Sequence, residues 1–222
     1  MGLELAVSRD GLCVLANRQL SLFNCAELVD PYMERVLGKL EYCFLRITNK
    51  YYRGCSGGGY FSPFQSAQYA QFLYVLSRLA FLDGNRELAE KSYYLNKMLH
   101  SVDWFYEVEL PDIFFADHPL GSVLGRAVYS DRLVVSQGCT VGNNHGIYPS
   151  IGRNVALHPM SSVIGNSRIG NNVEISAYAF IRDAVIPDNC IVFGHSPDLI
   201  IKKETEHEMK TRLNQFVYEE EV

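Results

Sequence analysis

Two apolar rhythms divide this chain, one at helical spacing up to about residue 101 and one that recurs every six residues beyond about Val102. In the first part, Asp30-Pro31 reads as an N-cap followed by a proline at the first helical position. Met33, Val36, Leu37, Leu40, Phe44 and Leu45 then follow at helical intervals, which predicts a helix. Two more helices are predicted, from Pro63 to Leu82 and from Asn85 to His100, separated by the Asp83-Gly84 stop. Their core stripes are Phe72, Leu73, Val75, Leu76 and Leu79, then Leu88, Tyr93, Leu95, Met98 and Leu99. Residues 1 to about 20 alternate weakly around the turn-like Ser8-Arg9-Asp10-Gly11, which leaves a short hairpin open. The run Gly54-Cys55-Ser56-Gly57-Gly58-Gly59 lacks the Gly-Lys-Ser/Thr ending and strand-to-helix setting of a phosphate-binding loop, and is read as a mobile connector.

Counting in sixes from Val123 gives Tyr129, Val135 and Val141. Restarting at Ile151 gives Leu157, Val163, Ile169, Ile175 and Ile181. Helical periodicity cannot produce a six-residue apolar ladder with glycine beside it at Gly152 and Gly170. The strands of a triangular solenoid can, because each flat face contributes one inward residue per repeat. Val141 to Ile151 is ten residues rather than six, so a loop, Gly142 to Ser150, must leave the solenoid there. Such loops on rigid scaffolds are frequent places for function. The repeat ends near Pro187-Asp188-Asn189. The stretch Glu204 to Glu220 then reads as a charged, solvent-facing helix with Met209, Leu213 and Val217 on one side. The organisation expected is α+β: a mainly helical domain over 1–101, a β-helix over 102–203 and a helical tail over 204–222.

The 20 Lys+Arg against 25 Asp+Glu give no general basic field, so charge supports neither a nucleic-acid nor a membrane role. Any anionic ligand needs a local site. The six cysteines are widely spaced and form no Cys-x-x-Cys pair, and the opening Met-Gly-Leu-Glu-Leu-Ala has neither the order of a signal peptide nor the Ser or Thr of a myristoylation pattern. Reduced thiols in the cytoplasm are expected. No apolar run reaches the roughly 18 residues needed to span a bilayer.

The most specific stretch is Asp117-His118-x-x-Gly121-x-Val123-x-Gly125-x-Ala127-Val128, followed by Gln137-Gly138-Cys139-Thr140-Val141-Gly142. Together with the six-residue repeat it resembles the hexapeptide-repeat acyltransferases, nearest to the serine acetyltransferase group, over residues 102 to 203. That resemblance implies a left-handed parallel β-helix that transfers acetyl from acetyl-CoA to a hydroxyl. It also implies assembly as a homotrimer or dimer of trimers, with coenzyme A in the groove between adjacent β-helices. By it, His118 is the general base, Asp103, fourteen residues before Asp117, orients it, and Asp117 helps hold the acceptor's amino group. His145 and Tyr148 of the loop would meet the acceptor, and Gly142, Ser161, Lys202 and Lys203 would border the cofactor. The chemistry asks for such a base, because a hydroxyl does not ionise at neutral pH unless an imidazole takes its proton during attack. A carboxylate behind the ring fixes the tautomer and stabilises the imidazolium.

The chain also departs from the family. Members that acetylate serine carry an Arg-His-Pro-Lys-Ile segment whose arginine grips the serine carboxylate; here it reads Ile147-Tyr148-Pro149-Ser150-Ile151. The coil that usually reads Ile-Gly-Ala-Gly-Ala is Leu157-His158-Pro159-Met160-Ser161, and the closing pattern is Gly194-His195-Ser196-Pro197-Asp198-Leu199. A sugar or nucleotide sugar therefore stands beside L-serine as acceptor, and a solenoid serving only as an assembly module remains the non-enzymatic alternative. A zinc-dependent anhydrase would need three clustered histidines. His118, His145 and His158 lack that family's spacing, so no metal is expected.

Overall fold

The computed structural model describes residues 2–217, in two compact units, Met1–Glu107 and Val108–Val222. The first unit is helical. Its short strand β1 (Leu3–Leu5) leads into α1 (Arg9–Ser21), where the Ser8 hydroxyl accepts the Gly11 N–H at 3.1 Å. Ser8-Arg9-Asp10-Gly11 is thus a helix start and no hairpin forms, because Ser8 satisfies an otherwise orphaned first-turn donor. Asp30–Tyr32 form a 3₁₀ turn, with Pro31 in its first turn, that runs into α2 (Met33–Phe44). Asp30 does not cap that helix; its carboxylate accepts from the Asn17 side chain at 3.0 Å.

Strand β2 (Gly59–Phe61) pairs in parallel with β1, Leu3 opposite Gly59. The glycine run before it is a close-packed turn rather than a connector. A Cβ at Gly58 would lie 2.2 Å from the Gly2 carbonyl oxygen, and one at Gly54 would lie 2.6 Å from a Glu4 carboxylate oxygen. The Cys55 N–H donates to that carboxylate at 3.0 Å, which ties the turn to the first strand.

Helix α3 (Ser66–Leu82) is buried on nearly all sides and forms the centre of this unit. It begins at Ser66 rather than Pro63 because the Gln65 side chain accepts the Gln68 N–H. Helix α4 (Arg86–His100) is capped by Asn85. Its buried face runs through Leu88, Ser92, Leu95, Asn96 and His100, whereas Met98 and Leu99 are exposed. Hydrophobicity alone misplaces this face because three of its buried positions are polar. No helix among the described residues is long and apolar enough to cross a membrane.

The second unit is a parallel β-solenoid of about five turns, consistent with a left-handed β-helix. Its first face stacks Phe114–Ala116, Leu133–Val135, Val155–Leu157, Val173–Ile175 and the start of Cys190–His195. The second stacks Val123–Leu124, Thr140–Gly142, Ser162–Ile164 and Phe180–Arg182; the third stacks Val128–Tyr129, Ser150–Ile151, Arg168–Ile169 and Val185–Ile186. Val135, Val141, Ile151, Leu157, Val163, Ile175 and Ile181 are all inside. Val123 is not: it is 38% exposed, and Leu124 stacks on Val141 in its place. The cause is coil length. Leu124 and Val141 are 17 residues apart, Val141 and Val163 are 22, and Val163 and Ile181 are 18. A strict count in sixes slips wherever a corner gains or loses a residue.

Asparagines mark the third-to-first corner. Asn154, Asn172 and Asn189 all have positive φ, and their side chains donate in series, Asn154 to Asn172 and Asn172 to Asn189, at 2.9 Å each. Asn is among the residues that tolerate this conformation best.

After Asn189 the chain adds one more strand, Cys190–His195, and turns back antiparallel as Asp198–Lys203. Helix α5 (Glu206–Arg212) follows, opened by a reciprocal Thr205–Glu208 capping box. It is shorter than the helix expected over 204–220, of which residues 218–220 lie outside the described part. It is also docked rather than solvent-facing: Met209, Leu213 and Phe216 are buried, Phe216 taking the place expected for Val217. Beneath it the outward row of the first face, Val134, Ala156, Glu174 and Ile191, is buried as well. The tail is fixed at three levels. The Glu204 N–H donates to the Asn189 carbonyl at 2.9 Å, the Arg212 guanidinium forms a bidentate pair with Glu174, and Arg132 donates to the Val217 carbonyl at 3.4 Å. His158 lies 3.5 Å from Glu174 on the other side.

Candidate active site

The corner between the first and second faces is where the first coil differs from the rest. Between its stacked partners lie seven residues (117–123), against five (136–140) in the next coil. Each regular corner has one residue with positive φ, namely Gly138, Met160 or Tyr178; the enlarged corner has two, His118 (φ 50°) and Gly121 (φ 73°). Since Met160 and Tyr178 share this conformation, the backbone of His118 is a corner property and does not by itself mark a catalytic residue. The enlarged corner is firmly tied. The Asp117 N–H donates to the Val135 carbonyl at 2.9 Å, that of Leu120 to His118 at 2.8 Å, that of Ser122 to Pro119 at 3.0 Å, and that of Gly138 back to Leu120 at 2.9 Å. On this base the His118 side chain is 90% exposed, with Nε2 3.9 Å from an Asp117 oxygen. The enlarged corner pushes an imidazole and a carboxylate off the edge of the prism.

The Gly142–Ser150 excursion is compact. Asn144 and Ile147 exchange both backbone hydrogen bonds at 3.0 Å around His145 (φ 50°) and Gly146 (φ 78°), the pattern of a type I′ two-residue hairpin. His145 and Tyr148 are exposed on it. The Asn144 amide donates to Asp183 Oδ2 at 2.9 Å, and the Asn166 N–H donates to Asp183 Oδ1 at 2.7 Å. These bonds, the Asn166 one foremost, hold the Asp183 carboxyl below the ordinary aspartate range. His118 and His145 stand on different edges of the prism, separated by the second face, whose strands are two to three residues long at roughly 3.3 Å each.

Asp103 belongs to the first unit. Burial works against its charge, but hydrogen bonds from Lys97 Nζ (2.6 Å) and the Tyr93 hydroxyl (2.7 Å) outweigh it and hold its carboxyl below the ordinary range. The cofactor-side residues divide. Gly142 lies open, since a Cβ there would meet only Ile164 at an ordinary 3.7 Å. Ser161 is buried, with Oγ 3.6 Å from the Cys139 sulfur; its N–H donates to His158 and its carbonyl accepts from Thr140. Lys202, paired with Glu204 at 2.5 Å, and Lys203 are exposed on the last strand, opposite Ile191 and Cys190. They lie five strand steps along the solenoid from the strand that leads to His118, roughly 24 Å at ~4.8 Å per step. His195 is tied to the Tyr178 carbonyl at 2.9 Å. Among the described residues no cluster of three or more His, Cys, Asp or Glu side chains is arranged to hold a metal ion.

Sequence reasoning missed Asp183 and the Glu174–Arg212 pair. The faint signal for Asp183 was Gly165, eighteen residues earlier and therefore one coil beneath it.

Residues 148–183 match the family described as bacterial transferase hexapeptide (six repeats). A serine acetyltransferase of Synechococcus elongatus is 32% identical over 107 residues, which is 46% of this chain and 43% of that protein. The matched stretch thus spans less than half of that curated relative. A solved serine acetyltransferase of Neisseria gonorrhoeae in complex with serine superposes with a TM-score of 0.59 at 24% identity, over 73% of this chain and 70% of that one. Another, in complex with CoA, gives 0.60 at 15% identity over 75% and 69%. At these identities the solved structures establish the fold. The likeness to hexapeptide-repeat proteins of the serine acetyltransferase kind, first drawn from the Asp117–Gly142 run, is borne out.

Proposed function

We propose that the chain is an acetyl-CoA-dependent O-acetyltransferase in which His118 is the general base. The observation that carries this reading is the enlarged corner, which presents His118 beside Asp117 within the run that resembles serine acetyltransferases. Neutral His118 takes the proton of the acceptor hydroxyl as its oxygen bonds to the thioester carbonyl carbon. The tetrahedral intermediate then expels the coenzyme A thiolate, and the imidazolium returns its proton to that sulfur. Base catalysis of this kind contributes about 10²–10⁴-fold. Asp103 is assigned to orient His118 on the fourteen-residue offset from Asp117 that it shares with the family run. Gly142 and the distant Lys202 and Lys203 suit a long co-substrate with its thioester at one end and its phosphates at the other. Homotrimeric or hexameric assembly and a cytoplasmic setting belong to the same proposal.

L-serine is the first acceptor, in keeping with the relatives' names. A sugar or nucleotide sugar is the second reading, favoured because residues 133–152 contain no Lys or Arg to hold a carboxylate. The test is thiol release from acetyl-CoA with L-serine, homoserine, sugars and nucleotide sugars, with His118→Ala as control. His118-dependent turnover with one acceptor establishes the enzyme and its substrate. A variant at wild-type rate removes His118 as base, and absence of both turnover and coenzyme A binding favours the assembly module. Asp103→Asn should lower kcat while leaving the KM for acetyl-CoA in place.

A further inference from the structure

The geometry points to Asp183 as a positioning residue for the acceptor loop, acting through Asn144 across the gap left by Gly165. This inference rests on the reading that the 143–149 loop meets the acceptor. Asp183 belongs neither to that loop nor to the Asp117–His118 corner, and its two carboxylate oxygens are divided between the loop and the scaffold. One accepts the backbone N–H of Asn166 at 2.7 Å; the other accepts the Asn144 amide at 2.9 Å. The bond to Asn166 fixes the carboxylate on the coil, and the bond to Asn144 fixes the first residue of the hairpin to the carboxylate.

The residue between them has to be glycine. At Gly165, φ is +71°, and a Cβ would stand 2.2 Å from Asp183 Oδ1 and 2.7 Å from the Asn144 Cβ. The notch lets a side chain of one coil reach a loop that rises from the coil before the preceding one. A four-residue excursion with two positive-φ residues at its tip has little hydrophobic contact of its own, with His145, Gly146, Ile147 and Tyr148 all exposed. The two hairpin bonds and the Gly146 N–H donated to Asn143 at 3.3 Å shape its tip, and the Pro149 carbonyl, accepting from Val128 at 3.0 Å, holds its far end; none of these ties the tip to the later coils. The Asn144–Asp183 bond supplies that anchor on the side facing the later coils, and so fixes where His145 and Tyr148 point.

The solenoid itself says what a conservative replacement should do. Asn154 and Asn172 pair amide to amide at 2.9 Å on the neighbouring corner, so Asp183→Asn can keep the bond to Asn144 while losing the charge. Positioning therefore predicts that Asp183→Asn stays within about two-fold of wild type and that Asp183→Ala and Asn144→Ala do not.

Two readouts test this in the full chain. Hydrogen exchange at the Asn144 and Ile147 amides should accelerate about ten-fold in Asp183→Ala and in Asn144→Ala, with the Thr140 and Ser162 amides of the adjoining coils unchanged. In turnover with L-serine, or with whichever sugar acceptor is active, the acceptor KM should rise about five- to ten-fold in both alanine variants. The KM for acetyl-CoA and the acceptor-independent hydrolysis of the thioester should stay at wild-type values. Unchanged exchange at Asn144 and Ile147 overturns the anchor. Equal rises in both KM values, or an Asp183→Asn variant as impaired as the alanine one, overturn positioning in favour of a general structural or charge effect. If the wild type shows no acceptor-dependent thiol release, the acyltransferase premise is what has failed, and with it the acceptor role; the exchange result still decides whether Asp183 anchors the loop. Asn144→Ala leaves the Asp183–Asn166 bond intact, so it reports on the loop even if Asp183→Ala unfolds the coil.

Discussion

Acidification should loosen the helical unit through one residue, His100. This side chain closes α4 in a buried position, edge-on to Tyr69 with ring centroids 5.8 Å apart, and its Nδ1 lies 2.8 Å from the Asn96 side-chain oxygen. The Asn96 amide nitrogen is committed to the Ala70 carbonyl at 2.9 Å, so its oxygen faces the ring and His100 carries its proton on Nδ1. A cation at a helix C-terminus would ordinarily gain about 0.3–1 kcal/mol from the dipole. Burial wins instead, lowering the pKa from 6.5 to about 4. The unfolded chain therefore binds a proton that the folded one refuses. The contribution is fully present above about pH 6.5 and is lost as the pH falls from there toward 4. Linkage with these two values gives about 2 kcal/mol lost at pH 5, approaching about 3 kcal/mol at still lower pH. The single tryptophan, Trp104, is buried in the same unit and supplies the assay. Urea unfolding followed by its fluorescence at pH 7.5 and pH 5.0 should show the drop in the wild type and a much smaller one in His100→Gln. If both proteins lose stability equally, the imidazole is not the group responsible.

Other consequences are open to measurement. Arg212→Ala should destabilise the second unit by about 1 kcal/mol, because a bidentate charged hydrogen bond contributes roughly 1.5–3 kcal/mol but this guanidinium is half exposed and screened. A double-mutant cycle with Glu174→Gln should recover that coupling, and a coupling of zero would mean the pair is incidental. Ile175→Ala, at a rung with no solvent exposure stacked between Leu157 and Val192, should cost about 2–5 kcal/mol in urea unfolding. A loss below about 1 kcal/mol would mean the interior is loosely packed. Gly165→Ala should destabilise by about 1–2 kcal/mol, since it combines a positive φ with a clash against Asp183, and a neutral result would show that the notch is not tight.

The solenoid was legible because a six-residue ladder has one physical solution, and the rungs from Val135 to Ile181 stand where counting puts them. Val123 was misphased because Leu124 to Val135 is eleven residues, one short of two repeats, and counting cannot see where a corner loses a residue. Asp117-His118 was recognisable from the family-like run that carries it, whereas the enlarged corner beneath it lies ahead of the first counted rung and left no trace in the ladder. In the helical unit the existence of α2, α3 and α4 followed from period and caps. The buried face of α4 did not, because Ser92, Asn96 and His100 are inside through hydrogen bonds and packing that composition does not reveal. Ser8 shows the opposite lesson: a turn-like tetrapeptide became a helix start once one hydroxyl found an orphaned N–H. Asp183 and Arg212 act through partners 39 and 38 residues away, Asn144 and Glu174, and one sequence carries no trace of such pairings.

A stack of coils in which each rests only on its neighbours melts as a zipper does, fraying from a free end. The returning tail changes that dependence, because one short segment holds the corner at Asn189, the strand at Glu174 and the corner at Arg132 together. The last coil cannot peel away without releasing a contact on the first, so the array behaves as a loop of mutual supports with no end to fray. Amides around Ile186 and Val192 should then exchange as slowly as those around Val135, and a chain ending at Lys203 should lose its coils one by one from the C-terminal side.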